Sequence, residues 1–251
     1  MFLEERHEKI VAILNEAGRV TVPELARQFN VTEDCIRKDL KQLAARGACK
    51  RVYGGATKVE TVPELNVTDR IGLFVPEKRA IAKKALRLIE PEMTVFLDIS
   101  TTSLMLAKMV AKENIHCTVV STMVGVLTAL AKSAEVTALC PGGMLRPSLD
   151  GFVGVPCVKG LDSYRFDLAF MGCYGINADA AEITTHAPED GVVKEAVVAR
   201  SRKNYLLAES RKLSSFGSYR YASFDDFEAL ISDGEDVEGA ARVRRAGLVV
   251  M

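Results

Sequence analysis

The fold of the N-terminal region is decided by the stretch EERHEKIVAILNEAGRVTVPELARQFNVTEDCIRKDLKQLAARGACKRVYGGA, residues 4–56. Apolar residues recur at helical spacing in three segments of it, and this spacing predicts three helices. Thr21 and Glu24 form the pattern of a capping box at the start of the second helix, and Thr32 can cap the third. Gly18 ends the first helix, so a short turn separates it from the second.

The third helix and the segment after it carry a basic surface. Ile36, Leu40 and Leu43 share one buried face, which leaves the basic side chains on the opposite face. Residues 49–58, CKRVYGGATK, alternate basic and apolar residues around a Gly-Gly turn, which predicts a short β-ribbon. Between Arg37 and Lys58 every charged residue except one aspartate is basic.

A basic helix followed by a basic ribbon is the electrostatic footprint of a phosphate backbone. We therefore expect a winged helix-turn-helix that binds a double-stranded DNA operator, with the third helix in the major groove. Basic residues on a helix can also be a solvated face, but the capped helices and the ribbon together favour DNA. The expected DNA-binding residues are Thr32, Cys35, Arg37, Lys38, Lys41, Lys50, Arg51 and Tyr53.

From residue 77 onward, short apolar runs alternate with helical segments. Unbroken apolar strands separated by helices predict an α/β domain with a doubly wound, mostly parallel sheet. The expected strands are TVFLD (94–98), CTVVS (117–121), VTALC (136–140), DLAFMG (167–172), NYLLAE (204–209), EALIS (228–232) and GLVV (247–250). The expected domains are a winged helix-turn-helix at 1–57, a linker at 58–76 and an effector-sensing domain at 77–251.

Polar clusters follow several of these strands, where ligands of parallel α/β sheets bind. Asp98 to Thr102 open a helix, and free N–H groups there suit a phosphate, although an ordinary helix cap explains the hydroxyls as well. Gly142, Gly143 and Arg146 form a turn that suits an anion or is simply a tight turn. Lys194 and Lys212 are cations that can meet phosphate or stay at the surface.

Bulk properties exclude several classes of protein. The net charge is zero, and no apolar run is long enough for a membrane helix, so no membrane association is expected. The first ten residues are charged rather than apolar, so they are not a signal peptide. The six cysteines form no C-x-x-C pair, which indicates reduced thiols in a cytoplasmic protein with no metal site and no cofactor.

The stretch at 4–56 resembles the DNA-binding domain of the DeoR family of bacterial regulators. Its most specific parts are IRKDLKQL and KRVYGGA. Cys35 stands where the family usually has Thr or Ser, Lys38 where Arg is usual, and Tyr53 where His is common. These departures leave the operator sequence open.

The chain from about residue 77 to the end resembles the sensor domain of the same family. The resemblance implies a fold related to sugar-phosphate isomerases and a small phosphorylated sugar as effector. Ser100 replaces the family's usual Gly, and Tyr174 replaces an Asp at a place where a sugar hydroxyl is expected. The residues expected to bind the effector are Asp98, Ser100, Thr101, Thr102, Gly142, Gly143, Arg146, Gly172, Tyr174, Gly175, Thr184, Thr185, Lys194 and Lys212.

Three functional classes are compatible with these patterns. The first is a transcriptional regulator, expected to be a repressor of sugar-metabolism genes that acts as a homo-oligomer. The second is an isomerase-like enzyme, which needs a general base such as Asp98, His186 or Glu189. The segment from Gly172 to Gly175 lacks the acids of related isomerases, so we expect no enzyme. The third class is a constitutive DNA-binding protein that has lost its effector.

Overall fold

The computed structural model of the chain describes residues 3–45, 49–57, 66–213, 215, 217–234 and 236–251. The chain divides into two compact units. The first comprises Met1–Leu65 with Gly72–Phe74, and the second comprises Asn66–Ile71 with Val75–Met251.

The N-terminal unit consists of three helices and a small antiparallel sheet. Its elements are α1 (Leu3–Ala17), β1 (Arg19–Thr21), α2 (Val22–Phe29), α3 (Glu33–Ala45), β2 (Lys50–Val52) and β3 (Gly55–Thr57). The sheet has the order β1-β3-β2. The hydrophobic core of the unit includes Ile10, Leu14, Leu25, Ile36 and Leu40. The three predicted helices and the β-ribbon are therefore confirmed, while β1 was not predicted.

The elements of the C-terminal unit follow in chain order. They begin with a 3-10 helix (Val67–Arg70), α4 (Val75–Leu86), β4 (Thr94–Leu97), α5 (Thr101–Glu113), β5 (Thr118–Ser121), α6 (Val124–Leu130), β6 (Thr137–Leu139), β7 (Met144–Arg146), a 3-10 helix (Pro147–Leu149), β8 (Gly151–Val153) and α7 (Val155–Leu161). They continue with β9 (Phe166–Gly172), β10 (Gly175–Asn177), β11 (Glu182–Thr185), α8 (Pro188–Val198), β12 (Ser201–Leu207), a 3-10 helix (Ser210–Lys212), β13 (Tyr219–Ser223), a 3-10 helix (Phe224–Asp226), β14 (Ala229–Ile231) and α9 (Val237–Arg245).

The main sheet has six strands in the order β14-β12-β9-β4-β5-β6, and all neighbouring strands are parallel. From β4 the chain winds outward through β5 and β6, and from β9 it winds the other way through β12 and β14. The direction therefore reverses between β4 and β9, which makes this pair the topological switch point. The predicted doubly wound, mostly parallel sheet is confirmed.

One predicted strand and two additions differ from the sequence analysis. The segment GLVV was predicted as a strand, but it pairs with the sheet at one residue pair only, the isolated bridge of Val250 with Leu230. A small antiparallel sheet, β10-β11-β13, and a hairpin, β7-β8, were not predicted. Their strands are three to five residues long, which is too short for a period-2 pattern to stand out.

Among the described residues, no helix is both long and apolar enough to cross a membrane.

Candidate functional site

The third helix of the N-terminal unit presents its basic side chains to solvent. The Oγ1 of Thr32 accepts a hydrogen bond from the Cys35 N–H at 3.3 Å and so caps the helix. Ile36 and Leu40 are fully buried, whereas Lys38 and Lys41 are exposed. No ion pair joins Lys38 or Lys41 to any residue that the structure describes. Their charges are therefore available to phosphate or to base edges.

Arg37 differs from these lysines because acidic residues of its own helix hold it. Its guanidinium lies 2.6 Å from carboxylate oxygens of both Glu33 and Asp34. All three side chains are largely exposed, so the two pairs stabilise the helix by only about 0–1 kcal/mol. Breaking these two pairs to free Arg37 would therefore cost little.

The β2-β3 ribbon is the wing, and its tip is Tyr53, which is fully exposed. A Cβ at Gly55 would lie 2.0 Å from the carbonyl oxygen of Val20, so only glycine lets the wing pack against β1. Arg51 is exposed and lines a small cavity together with Arg37, which places the wing beside α3. The side chain of Lys50 lies outside the described residues.

A buried polar cluster joins α3 to α1. The carboxylate of Asp39 accepts hydrogen bonds from Arg6 at 2.6 and 3.2 Å and lies 3.3 Å from the His7 ring. Arg6, His7 and Asp39 are all less than 8 % exposed, and Arg6 also reaches the Sγ of Cys35. Asp39 is the single acid of the basic stretch. Its pairing inside the unit therefore leaves the outer surface of α3 more basic than the sequence indicates.

In the C-terminal unit, the switch point joins Asp98 to Gly172. Asp98 follows β4, and its Oδ2 accepts a hydrogen bond from the N–H of Gly172, the last residue of β9, at 2.7 Å. A Cβ at Gly172 would lie 2.8 Å from the Cβ of Ser100, so a larger residue there would push the two loops apart. Two of the predicted effector residues therefore meet where ligands of such sheets bind.

Lys194 completes this cluster. Its Nζ donates a short hydrogen bond to Oδ2 of Asp98 and lies 3.4 Å from Oδ2 of Asp190. The hydroxyl of Thr185 donates to Asp190 at 3.1 Å. Lys194 is only 2 % exposed, so the interpretation of this residue as a surface lysine is wrong.

Burial and the mutual charges of the cluster act against each other in setting the pKa values of Asp190 and Lys194. Burial raises the pKa of Asp190 to about 6, although the charge of Lys194 acts in the opposite direction. Burial lowers the pKa of Lys194, but the charges of Asp190 and Asp98 and their hydrogen bonds outweigh it, so the net shift is upward. Lys194 therefore stays charged between two carboxyl groups, and the cluster offers no net positive charge to an anion.

Ser100 is the N-cap of α5. Its Oγ accepts a hydrogen bond from the N–H of Ser103 at 2.9 Å, and Thr101 and Thr102 are buried in the first turn. The cap interpretation of Ser100 is thus confirmed. A cap also leaves other N–H groups of the first turn free, so it is compatible with a ligand at this helix end.

A second, cationic cluster lies beyond the end of β12. The Nζ of Lys212 donates to the carbonyl oxygen of Cys173 at 2.7 Å and lies 3.3 Å from Glu209. Lys78 of α4 is 1 % exposed, and its Nζ donates to the carbonyl oxygen of Arg70 at 2.5 Å. Burial lowers the pKa of Lys78 to about 8, with Arg70, Arg211 and Lys212 acting in the same direction and Glu209 against it.

Glu209 is the carboxylate at the centre of these cations. Burial raises its pKa, but Lys212, Arg211 and Lys78 outweigh burial and bring the pKa down to about 2. This neighbourhood therefore has an excess of positive charge over the one central carboxylate. It is better suited to an anion than the Lys194 cluster.

The remaining predicted residues fall into separate contacts. Arg146 pairs with Glu189 at 2.7 Å, so its charge is already balanced. A Cβ at Gly143 would lie 2.7 Å from Cys157, which places Gly142 and Gly143 beside α7. The hydroxyl of Thr184 donates to the carbonyl oxygen of Gly175 at 3.0 Å. The ring of Tyr174 packs on that of His186, with centroids 3.7 Å apart.

Four residues of the two clusters were missed from the sequence: Lys78, Asp190, Glu209 and Tyr221. Tyr221 is buried, donates to the carbonyl oxygen of Gly172 at 2.8 Å and places its ring 5.6 Å from the Nζ of Lys194. The sequence spacing could have pointed to two of these residues, Asp190 and Lys78. Asp190 and Lys194 are four residues apart, and Lys78 lies on the same helical stripe as Ile81 and Ala85.

Within the described residues, no group of three or more His, Cys, Asp or Glu side chains is arranged to hold a metal ion. The three groups considered as general bases are all engaged: Asp98 by Lys194, Glu189 by Arg146, and His186 by Tyr174.

A helix-turn-helix unit with a basic recognition helix, joined to an α/β unit with a polar switch point, defines a DNA-binding regulator that carries a sensor domain. Family models agree with this class. A "DeoR-like helix-turn-helix domain" matches residues 6–62, and a "DeoR C terminal sensor domain" matches residues 74–234. The chain belongs to the DeoR family of transcriptional regulators, and this membership excludes the enzyme alternative.

Relatives along the whole chain are regulators as well. The chain is 29% identical to the HTH-type transcriptional repressor GlcR of Bacillus subtilis, covering 93% of this chain and 89% of that protein. It is 29% identical to the uncharacterized HTH-type transcriptional regulator FruR of the same organism, with 94% of each chain covered. It is 26% identical to a lactose phosphotransferase system repressor of Staphylococcus epidermidis, with 95% of each covered.

Solved structures show the fold alone. The crystal structure of eIF2B delta from Chaetomium thermophilum is similar with a TM-score of 0.51 at 14% identity, covering 82% of this chain and 66% of that one. Ribose 5-phosphate isomerase A from Methanocaldococcus jannaschii aligns at a TM-score of 0.40 and 15% identity, covering 54% and 52%.

Proposed function

We propose that the protein is a repressor of sugar-metabolism genes that a phosphorylated sugar releases from its operator. The observation that carries the proposal is the pairing of two unlike clusters at the carboxyl edge of the sheet. The cluster of Asp98, Asp190 and Lys194 holds acceptors and a donor that suit sugar hydroxyls. The cations around Glu209 suit a phosphate.

A relative supports the sugar part of the proposal, since it is named a lactose phosphotransferase system repressor. The residues that we assign to the phosphate differ from those expected from the sequence. Lys194 and Arg146 were expected to supply the countercharge for phosphate, but carboxylates balance both. We therefore place the phosphate near Lys78, Lys212 and the start of α5.

The test is a thermal-shift screen of the full chain against phosphorylated sugars and their unphosphorylated parents. A phosphorylated sugar at one hundred times its dissociation constant should stabilise the sensor domain by about 2.7 kcal/mol. The unphosphorylated parent should stabilise it far less. The same compound should then weaken operator binding in a gel-shift titration. Stabilisation without any effect on DNA binding would contradict the proposed release.

A matched pair of variants locates the phosphate. Lys78→Met should abolish most of the stabilisation, because it removes a buried cation, whereas Lys83→Met changes an exposed lysine of the same helix and should leave it intact. Burial lowers the pKa of Lys78, so its charged form is less stable in the folded unit than in water. Lys78→Met should therefore not unfold the domain. No response to any phosphorylated sugar would instead support a constitutive DNA-binding protein.

A further inference from the structure

The 3-10 helix Val67–Arg70 lies at the start of the C-terminal unit and is fastened to it at both ends. Val67, its first residue, is fully buried in the hydrophobic core of that unit. At the other end, the Nζ of Lys78 donates a hydrogen bond to the carbonyl oxygen of Arg70 at 2.5 Å. A change at Lys78 is therefore felt directly by the last residue of this short helix.

Lys78 has donors to spare. A lysine ammonium group carries three N–H donors and no acceptor. The side chain is 1% exposed, and the carbonyl oxygen of Arg70 is its one acceptor within the part of the chain that the structure describes. The ammonium group can therefore donate to a ligand and still keep its hydrogen bond to Arg70.

The side chain of Arg70 also has an unused donor. Its Nε is buried and has no hydrogen-bond partner among the described residues. Burial lowers the pKa of this guanidinium, and the carboxylate of Glu209 acts in the opposite direction. Folded proteins rarely leave a buried donor without an acceptor. The unpaired Nε therefore indicates an acceptor that the described chain does not itself supply.

The charges around Arg70 favour an anion as that acceptor. Glu209 is the nearby carboxylate, and it lies 3.3 Å from Lys212 and 3.7 Å from Arg211. Arg70 and Lys78 have no carboxylate at ion-pair distance among the residues that the structure describes. A phosphate group offers several charged oxygens, so it can accept hydrogen bonds from a guanidinium and an ammonium group together.

We propose that Arg70 binds the phosphate of the effector together with Lys78, and that this contact tightens the 3-10 helix Val67–Arg70. The phosphate bridges the two side chains while Lys78 keeps its bond to the Arg70 carbonyl. The helix is followed in the chain by Gly72–Phe74, which belong to the N-terminal unit. The effector thus acts on the connection between the two units through Arg70. The inference rests on the proposed phosphate position at Lys78 and adds a residue and a regulatory step to it.

Calorimetric titration of the full chain with inorganic phosphate, at an ionic strength held constant with potassium chloride, tests the binding role. Arg70→Met should raise the dissociation constant for phosphate about 10-fold or more, because a charge-assisted hydrogen bond is lost. Arg79→Met, at an exposed arginine of α4, is the matched control and should bind phosphate as the unchanged chain does. Arg70→Gln keeps a polar side chain at this half-buried position and should behave as Arg70→Met does. Circular dichroism confirms that each variant is folded.

Hydrogen exchange of residues 67–71, measured by mass spectrometry, tests the regulatory step. Saturating phosphate should slow exchange in this segment about 10-fold in the unchanged chain, since the bridge opposes local opening of the helix. Arg79→Met should show the same slowing. Arg70→Met should show none, even at a phosphate concentration that saturates its remaining site.

The outcomes separate this inference from the proposed function. If Lys78→Met loses phosphate binding but Arg70→Met does not, the phosphate position at Lys78 stands and the role of Arg70 is wrong. If the unchanged chain does not bind phosphate, or both variants bind it normally, the phosphate position and the inference fail together. Loss of binding in Arg70→Met without any slowing of exchange at 67–71 in the unchanged chain would overturn the regulatory step.

Discussion

Replacing Lys194 by Met should destabilise the sensor unit strongly. The side chain is of similar length and only 2 % exposed, so the change removes a charge rather than volume. It strands the carboxyl groups of Asp98 and Asp190, which are 1 % and 5 % exposed. Breaking a buried ion pair by removing one partner costs about 3–5 kcal/mol, because the remaining charge loses its compensation. A loss of about 3 kcal/mol lowers the Tm of a unit this size by roughly 6–12 °C.

The loss should depend on pH in a definite direction. Burial already raises the pKa of Asp190 to about 6, and Lys194 is the strongest influence that lowers it. Without Lys194 the pKa rises further. A carboxyl with a raised pKa binds its proton more tightly in the folded state than in the unfolded one. Its favourable contribution is present below about pH 4 and is lost as the pH rises through the folded-state pKa. Lys194→Met should therefore be much less stable at pH 8 than at pH 5.

Chemical denaturation followed by far-ultraviolet circular dichroism measures the free energy of unfolding, since the chain has no tryptophan. Adding Asp190→Asn to Lys194→Met removes one stranded charge and should recover a large part of the loss at pH 8. Lys203→Met, an exposed lysine of β12, is the control and should change stability by less than about 0.5 kcal/mol. A loss below about 1 kcal/mol, or one that is the same at both pH values, would refute the buried-pair argument.

Two further predictions concern the DNA-binding unit. Lys38→Ala should cost about 1–3 kcal/mol of operator binding and relax sequence preference if this side chain contacts a base, whereas Lys50→Ala should weaken binding to operator and random DNA equally. Fluorescence anisotropy with both duplexes at several salt concentrations measures these affinities. If Lys38→Ala also weakens binding to both duplexes equally, α3 does not read bases. Arg6→Met removes the guanidinium that pairs with buried Asp39 and should destabilise the N-terminal unit by about 3–5 kcal/mol, while Lys9→Met, at an exposed lysine that pairs with Glu5, should cost at most about 1 kcal/mol; thermal melts that show no difference between them would contradict a structural role for the buried cluster.

Local chemistry made the N-terminal unit predictable from its sequence. Thr21 caps α2 in a capping box with Glu24, as the spacing of the two residues predicts. Gly18 and Asn30 take the left-handed conformations that end α1 and α2. The short strand β1 was missed because its pairing with β3 is made across the whole unit and leaves no local pattern.

The effector site was predictable only in part. The rule that ligands bind beyond the carboxyl ends of parallel strands pointed to Asp98 and Gly172, and the structure brings them into contact. The strand order decides which loops are neighbours, and a single sequence does not show that order. The sequence therefore did not reveal the partners of Lys194. Its charge was expected to meet a phosphate, but in the structure Lys194 is buried between the carboxyl groups of Asp98 and Asp190.

The two clusters differ in charge, and the proposed function assigns a different part of the effector to each. In the cluster at Asp98, one lysine balances two carboxyl groups, and a neutral sugar ring can exchange hydrogen bonds there without meeting a net positive charge. Around Glu209, the surrounding cations outnumber the carboxylate and bring its pKa to about 2. Burial lowers the pKa of Lys78 to about 8, so the unit holds this lysine in a less stable charged state than water would. A bound phosphate would relieve that strain, because it supplies the missing negative charge. Under the proposed function, a ligand with both a phosphate and hydroxyl groups would therefore bind the two clusters better than either part alone.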